Sequence, residues 1–162
     1  MIRNGNMGEF VACLRPATTV GTHKTVGATG IVDQISAPFA GTLSRFAACL
    51  GAMGTDGTGS PTQDIQVDIK INGTSIFTSA ATSILWAHAG QVGTANTPSL
   101  PTTNGTLTTN PPTFNAGDLI SLEVLQILNG TSPVPPTDLS CWLALSPSNQ
   151  SPRPTKQGTS FN

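Results

Sequence analysis

One stretch restricts what this chain can fold into more than any other: residues 64–78, DIQVDIKINGTSIFT. Ile65, Val67, Ile69 and Ile71 alternate with Gln66, Asp68 and Lys70. A period of two places the aliphatic side chains on one face of a strand and the polar ones on the other. Asn72-Gly73 follows directly, and both residues tolerate the positive φ that a type I′ hairpin turn requires. Ser75, Ile76 and Phe77 begin a return strand. A hairpin with one apolar face needs a second layer to cover it.

The rest of the chain supplies more strands of this kind. Residues 31–35 read as a strand ending at Ala37-Pro38. Gly41 opens TLSRFAACLGAM, in which Phe46, Ala48 and Leu50 share a face. Leu43 is out of phase with them, which places a bulge near Ser44-Arg45. SILWAHA, residues 83–89, is a strand with two mostly apolar faces. Residues 113–128 give a turn at Asn115–Asp118 and a strand with Ile120, Leu122 and Val124 inward. LSCWLAL, residues 139–145, closes the core with Leu139, Cys141, Leu143 and Leu145 on one side. Nowhere does a 3.6-residue period persist for three turns, so no helix is expected. Short strands separated by Gly, Pro and Asn read as an all-β antiparallel β-sandwich, with jelly-roll connections as the best topology. Residues 90–112 form a long Thr/Asn/Pro/Gly connection, of a length that tends to carry function or cross a neighbour.

The two ends look different from this body. Residues 1–30 carry only isolated apolar positions, with one short strand at 9–14, and read as an extended N-terminal arm. Residues 147–162 are polar, contain Pro152 and Pro154, and read as an extended C-terminal tail. The sandwich is therefore assigned to residues 31–146.

The charge pattern excludes several function classes. Charged residues are 9% of the 162, against roughly 25% in an ordinary soluble domain. A surface so short of charge repels its own copies weakly, which suits a protein packed against others. The seven basic residues are scattered rather than clustered, so nucleic acid is not an expected partner. No apolar run reaches the length of a membrane span, so no membrane partner is expected either. The N-terminus lacks the apolar core of a signal peptide, which argues against secretion by that route. Cys13, Cys49 and Cys141 are odd in number and far apart. They read as free thiols acting as small hydrophobes rather than as a disulfide framework.

Four pieces in order, APFAGTLSRFAACLGAMGT, DIQVDIKINGTSIFT, TFNAGDLISLEVLQI and LSCWLAL, give the chain a family resemblance. A Pro/Gly-led strand precedes a D-x-x-x-N-G hairpin, then a Gly-Asp turn and an alternating strand precede the closing one. This order resembles the jelly-roll domains of tailed-bacteriophage structural proteins, over roughly residues 31–146. The resemblance implies a homotrimer used for capsid decoration, head fibres or tail-fibre heads. It does not imply catalytic residues, and no cofactor or metal is expected.

Reading the residues for chemistry agrees with that. No G-x-S-x-G elbow is present, and no His/Cys cluster has zinc spacing. His23 and His88 are the two candidate imidazole bases. His88, beside Trp86 in a strand, reads as a hydrogen-bonded structural residue. Asp56 in GTDGTGS has no acidic neighbour to help hold calcium, and Asp118 reads as a turn residue. The Asn-Gly-Thr triplets at 72, 104 and 129 read as turns.

A partner surface is better supported. Trp142 lies opposite the inward set of its strand, and Leu125 opposite that of the 120–124 strand. The outer face of a monomeric sandwich strand would be polar, so Trp142 with Leu125 forms a candidate self-association patch. Phe10, Arg15, Arg153 and Phe161 are candidate anchors to a particle. The expected function is a non-enzymatic capsid decoration or cement protein of the virion, assembled in the host cytoplasm, with itself and the major capsid protein as partners. The alternative is a receptor-binding fibre tip, with Trp86 or Trp142 stacking on a surface glycan.

Overall fold

A computed structural model describes residues 9–16, 26, 29–55, 64–88, 99–127 and 134–148. Nine strands follow in order: β1 (Phe10–Leu14), β2 (Gly30–Ser36), β3 (Gly41–Cys49), β4 (Ile65–Ile71), β5 (Thr74–Ser75), β6 (Ile84–Trp86), β7 (Thr113–Phe114), β8 (Leu119–Ile127) and β9 (Ser140–Pro147). A single 3-10 turn, Ala80–Thr82, is the one helical element among the described residues. All strand pairs are antiparallel.

The strands divide into two sheets. Sheet I has the order β1-β9-β3-β7, and sheet II the order β2-β8-β4, with β5 and β6 both along the far edge of β4. If β5 and β6 count as one interrupted edge strand, each sheet has four strands. Successive strands then cross from one sheet to the other, except where hairpins keep β4, β5 and β6 together. This is the jelly-roll arrangement expected from the sequence, an all-β antiparallel sandwich.

The core lies between the sheets. Sheet I contributes Leu14, Leu43, Ala48, Cys141, Leu143 and Leu145, and sheet II contributes Ile65, Val67, Ile69, Ile120, Leu122 and Val124. These are the period-two positions, so alternation written in the sequence becomes burial between layers. The central hairpin turns on Asn72 (φ 50) and Gly73 (φ 79), with Ile71 opposite Thr74. Positive φ at both positions is the type I′ geometry. The register of β3 against β9 shifts between Leu43 and Arg45, so Ser44 is the extra residue of the expected bulge.

Three expectations need correction. The arm boundary at residue 30 moves, because β1 pairs with β9 along its whole length, Phe10 opposite Leu145 through Leu14 opposite Cys141. Leu14 is fully buried, so residues 10–14 belong to the body. The tail boundary at residue 147 moves too: Pro147 lies opposite Gly41, and Ser148 N–H donates to the Ala40 carbonyl at 2.9 Å. The strand drawn over residues 83–89 is shorter, since β6 ends at Trp86. Part of the long connection is also tied down, with Ser99, Thr103 and Leu107 bridged to Leu50, Leu85 and Phe77.

Candidate functional site

The face of β9 that looks away from the core carries Ser140, Trp142, Ala144 and Ser146. Trp142 lies opposite Cys13 on β1 and Ala47 on β3, and Ala144 lies opposite Val11 and Arg45. Trp142 is 51% exposed and Val11 57%, and Ala47 is also exposed. Val11, Cys13, Trp142 and Ala47 thus form a continuous apolar strip across three strands. The inner side of the sandwich is already closed, so the outward strip takes no part in the core, and an exposed apolar patch of this kind is a candidate contact surface.

One end of the strip is closed by charge. The Glu9 carboxylate reaches across β9 to the Ser44 hydroxyl and the Arg45 guanidinium, and Ser44 Oγ also lies 3.0 Å from the Ala144 carbonyl. The arrangement straddles Ala144, which is buried although it points outward. The Ser44 hydroxyl and then Arg45 hold the Glu9 carboxyl below its ordinary value. The extra residue of the β3 bulge is what brings Ser44 and Arg45 side by side to meet it.

The cysteines are free, and they divide between the two faces of sheet I. Cys141 faces the core, where burial pushes its thiol up to about 12. Cys13 and Cys49 are half-buried on the outer face, and Cys49 Sγ lies 3.0 Å from Ser140 Oγ. Burial raises the Cys13 thiol as well.

The predicted site residues do not converge. Leu125 lies in sheet II, at the point where the register of β8 against β4 slips, and is half-buried. Trp142 belongs to sheet I, and the outer faces of the two sheets look in opposite directions. The two residues therefore cannot share a patch, and Val11, Cys13 and Ala47 take the place assigned to Leu125. Phe10 is 45% exposed but stands edge-on to Phe39, which packs on buried Phe114. It is fixed to the body rather than carried on an arm. Arg15 is exposed, just past β1, and its N–H donates to Asp33 Oδ2 at 2.7 Å. Arg153, Phe161, His23 and Asp56 lie outside the described residues.

Trp86 is corrected as a sugar platform: it is fully buried, and its Nε1–H donates to the Ser99 carbonyl at 3.2 Å. His88 stands just beyond β6, where its N–H donates to Asp64 Oδ1 at 2.9 Å and its Nδ1 lies 2.8 Å from the same oxygen. The His88 N–H is the main cause that lowers the Asp64 carboxyl, and desolvation opposes it. This pair clamps the start of β4 to the end of β6.

No family model, curated protein or solved structure matches the chain.

Two further places gather polar groups. Asp68 and Glu123 lie opposite each other on the outer side of sheet II, with Lys70 paired to Glu123. Asp68 is only 2% exposed and accepts from Ser75 Oγ at 2.8 Å. Burial raises its carboxyl above the ordinary value, but a substrate has no path to an oxygen so covered. A shallow open depression of ≈ 280 Å³ lies between Ser75 and Ile76 on one side and Thr108, Thr109 and Thr113 on the other. Its lining is aliphatic and hydroxylic, with no aromatic ring.

Proposed function

We propose that this chain is a non-enzymatic structural protein of a tailed-phage virion, which decorates the capsid surface and associates with its own copies. The observation that carries the reading is the apolar outer strip of sheet I around Trp142, on a jelly-roll body whose core is already closed. A strip of that kind is stabilised by contact with another protein surface. The low charge of the chain leaves little repulsion to oppose that contact. The resemblance implies three copies per assembly and the major capsid protein as the second partner.

The ends of the body support the same reading. Glu9 precedes β1 and Ser148 follows β9, and the pairing of Phe10 with Leu145 puts both points at one end of sheet I. Residues 1–8 and 149–162 therefore join the body at the same end of sheet I, and we assign contact with the particle to them. Deleting both segments should leave a stable, soluble body that no longer co-sediments with undecorated capsids. Undiminished co-sedimentation of the truncated body would overturn this role for the ends.

A second reading rests on one observation. Trp142 presents an exposed indole beside the small Ala47, a flat apolar surface on which a sugar ring stacks. A glycan-binding tip predicts that the isolated body binds glycans and that no form binds capsids.

A further inference from the structure

Every sheet edge exposes main-chain N–H and C=O groups that invite another strand, and folded proteins guard against it with bulges, charges, prolines or covering segments. Three edges here are guarded. On β2 the register slips between Ile31 and Asp33, and Asp33 places a carboxylate in the strand. On the opposite side of sheet II, β5 and β6 are two and three residues long, and the Leu85 N–H and carbonyl are taken by Thr103 and Thr102. On the far side of sheet I, β7 is two residues long, follows Pro111-Pro112 and covers only Gly41 and Thr42, and the rest of that side of β3 carries the bulge at Ser44 and the charge of Arg45.

The fourth edge is different. β1, FVACL, has no charge, no proline and no bulge, and its register with β9 is unbroken over five residues. Among the described residues nothing pairs with its other side. Every second residue of such a strand turns both its N–H and its C=O to the open side. Phe10 and Val11 are exposed there, and the outer strip of Cys13, Trp142 and Ala47 begins at this edge.

We infer that β1 is the self-association edge, and that its occupant is β1 of a second copy, antiparallel across a two-fold axis at Ala12. The inference rests on the reading above only in that copies associate; it does not involve the capsid. A second copy fits because the strand is uncharged and complementary to itself. Centring on Ala12 overlaps all five residues, places Val11 opposite the second copy's Cys13 on the outer face, and pairs Phe10 with the second copy's Leu14. An isologous contact closes at two chains and leaves no open edge on β1. It also merges the two copies of sheet I into one sheet of eight strands, whose outer face carries both Trp142 side chains. The free protein is then a dimer, whereas the resemblance implies three copies, so the two expectations differ in mass.

Light scattering on the full chain over a concentration series tests this. The expected mass rises towards that of two chains, and Val11→Lys, which puts a guarding charge on an exposed position, returns it to one chain with an unchanged circular dichroism spectrum. Directly opposite residues in an antiparallel pair have Cα atoms about 4.5–5.5 Å apart, within disulfide reach. Val11→Cys treated with oxidised glutathione should therefore give a cross-linked dimer on a non-reducing gel, and adding Cys13→Ser should abolish it. A monomer at high concentration overturns the inference. A trimer indifferent to Val11→Lys also overturns it, while leaving the self-association of the proposed function intact. A dimer in which Val11→Cys does not cross-link through Cys13 overturns the pairing.

Discussion

Asn72 donates from Nδ2 to Asp118 Oδ1 at 2.8 Å, and this bond joins the tip of the central hairpin to the turn that precedes β8. Leu119 N–H donates to Asn72 Oδ1 at 2.9 Å, and Asn72 N–H donates to the Leu119 carbonyl at 2.8 Å. Asp118 completes the set by accepting the Asn115 N–H at 2.7 Å. An asparagine suits position 72 on two counts: it tolerates φ 50, and its amide both donates and accepts.

Asp118→Ala should therefore lower the melting temperature at neutral pH. The Asn115 N–H, and after it Asn72, holds the Asp118 carboxyl below its ordinary value. A depressed carboxyl contributes stability above the unfolded value and loses that contribution as pH falls through the folded one. The gap between wild type and variant should then close in acid. A gap independent of pH in thermal melts would show that the ionised carboxylate is not what holds the turn.

Asp68 predicts the opposite sign. Its carboxyl is raised, first by desolvation, so its contribution to stability is present below the unfolded value and lost as pH rises through the folded one. Asp68→Asn keeps an oxygen to accept from Ser75 Oγ and removes the charge. It should melt higher than wild type at neutral pH, with the difference shrinking in acid. A lower melting temperature at neutral pH would mean that the cation of Lys70 outweighs burial.

Ile69 is fully buried opposite Leu122. Ile69→Ala should cost about 2–5 kcal/mol through lost transfer energy and cavity formation. Ile69→Asp buries a charge with no partner and should cost more than ~4 kcal/mol, enough to abolish folding. Urea unfolding followed by circular dichroism measures both. A cooperative, wild-type transition for the aspartate variant would contradict the register of β4.

Trp142→Ser and Leu125→Ser should separate the two sheets as partner surfaces. Trp142 projects from sheet I next to Cys13, at the β1 edge, so its loss should weaken self-association several-fold while stability changes by about 0.5 kcal/mol or less. Leu125, in sheet II, should leave self-association unchanged. Light scattering at matched concentrations reads both, and a Leu125→Ser effect equal to that of Trp142→Ser would place the contact elsewhere.

What the sequence made legible is what repeats locally. The alternation of 65–71, the Asn-Gly turn and the phase slip at Ser44 each depend on neighbours within a few residues, and each appears where expected. The role of β1 was hidden, because five residues such as FVACL read the same on a loose arm as in a sheet, and the partner strand is more than a hundred residues away. The pairing of Trp142 with Leu125 failed for a related reason: alternation says that both face outward, not which of two layers each belongs to. Trp86 looked available because its strand has two apolar faces, and only the bridge from Ser99 shows how its indole nitrogen is satisfied in the core.

The place of β9 has a consequence in time. It is the last of the described strands in chain order, and so leaves the ribosome after the other eight, yet it lies between β1 and β3 in sheet I. Sheet II, from residues 30–127, has all its strands earlier. Until β9 emerges, β1 has no strand to pair with and the apolar face of β4 and β8 has only half its cover. Contacts this distant in sequence slow folding and leave apolar surface open to other chains meanwhile. A nascent chain halted just short of residue 140 would hold one sheet, half a sandwich, and β1 still waiting for β9.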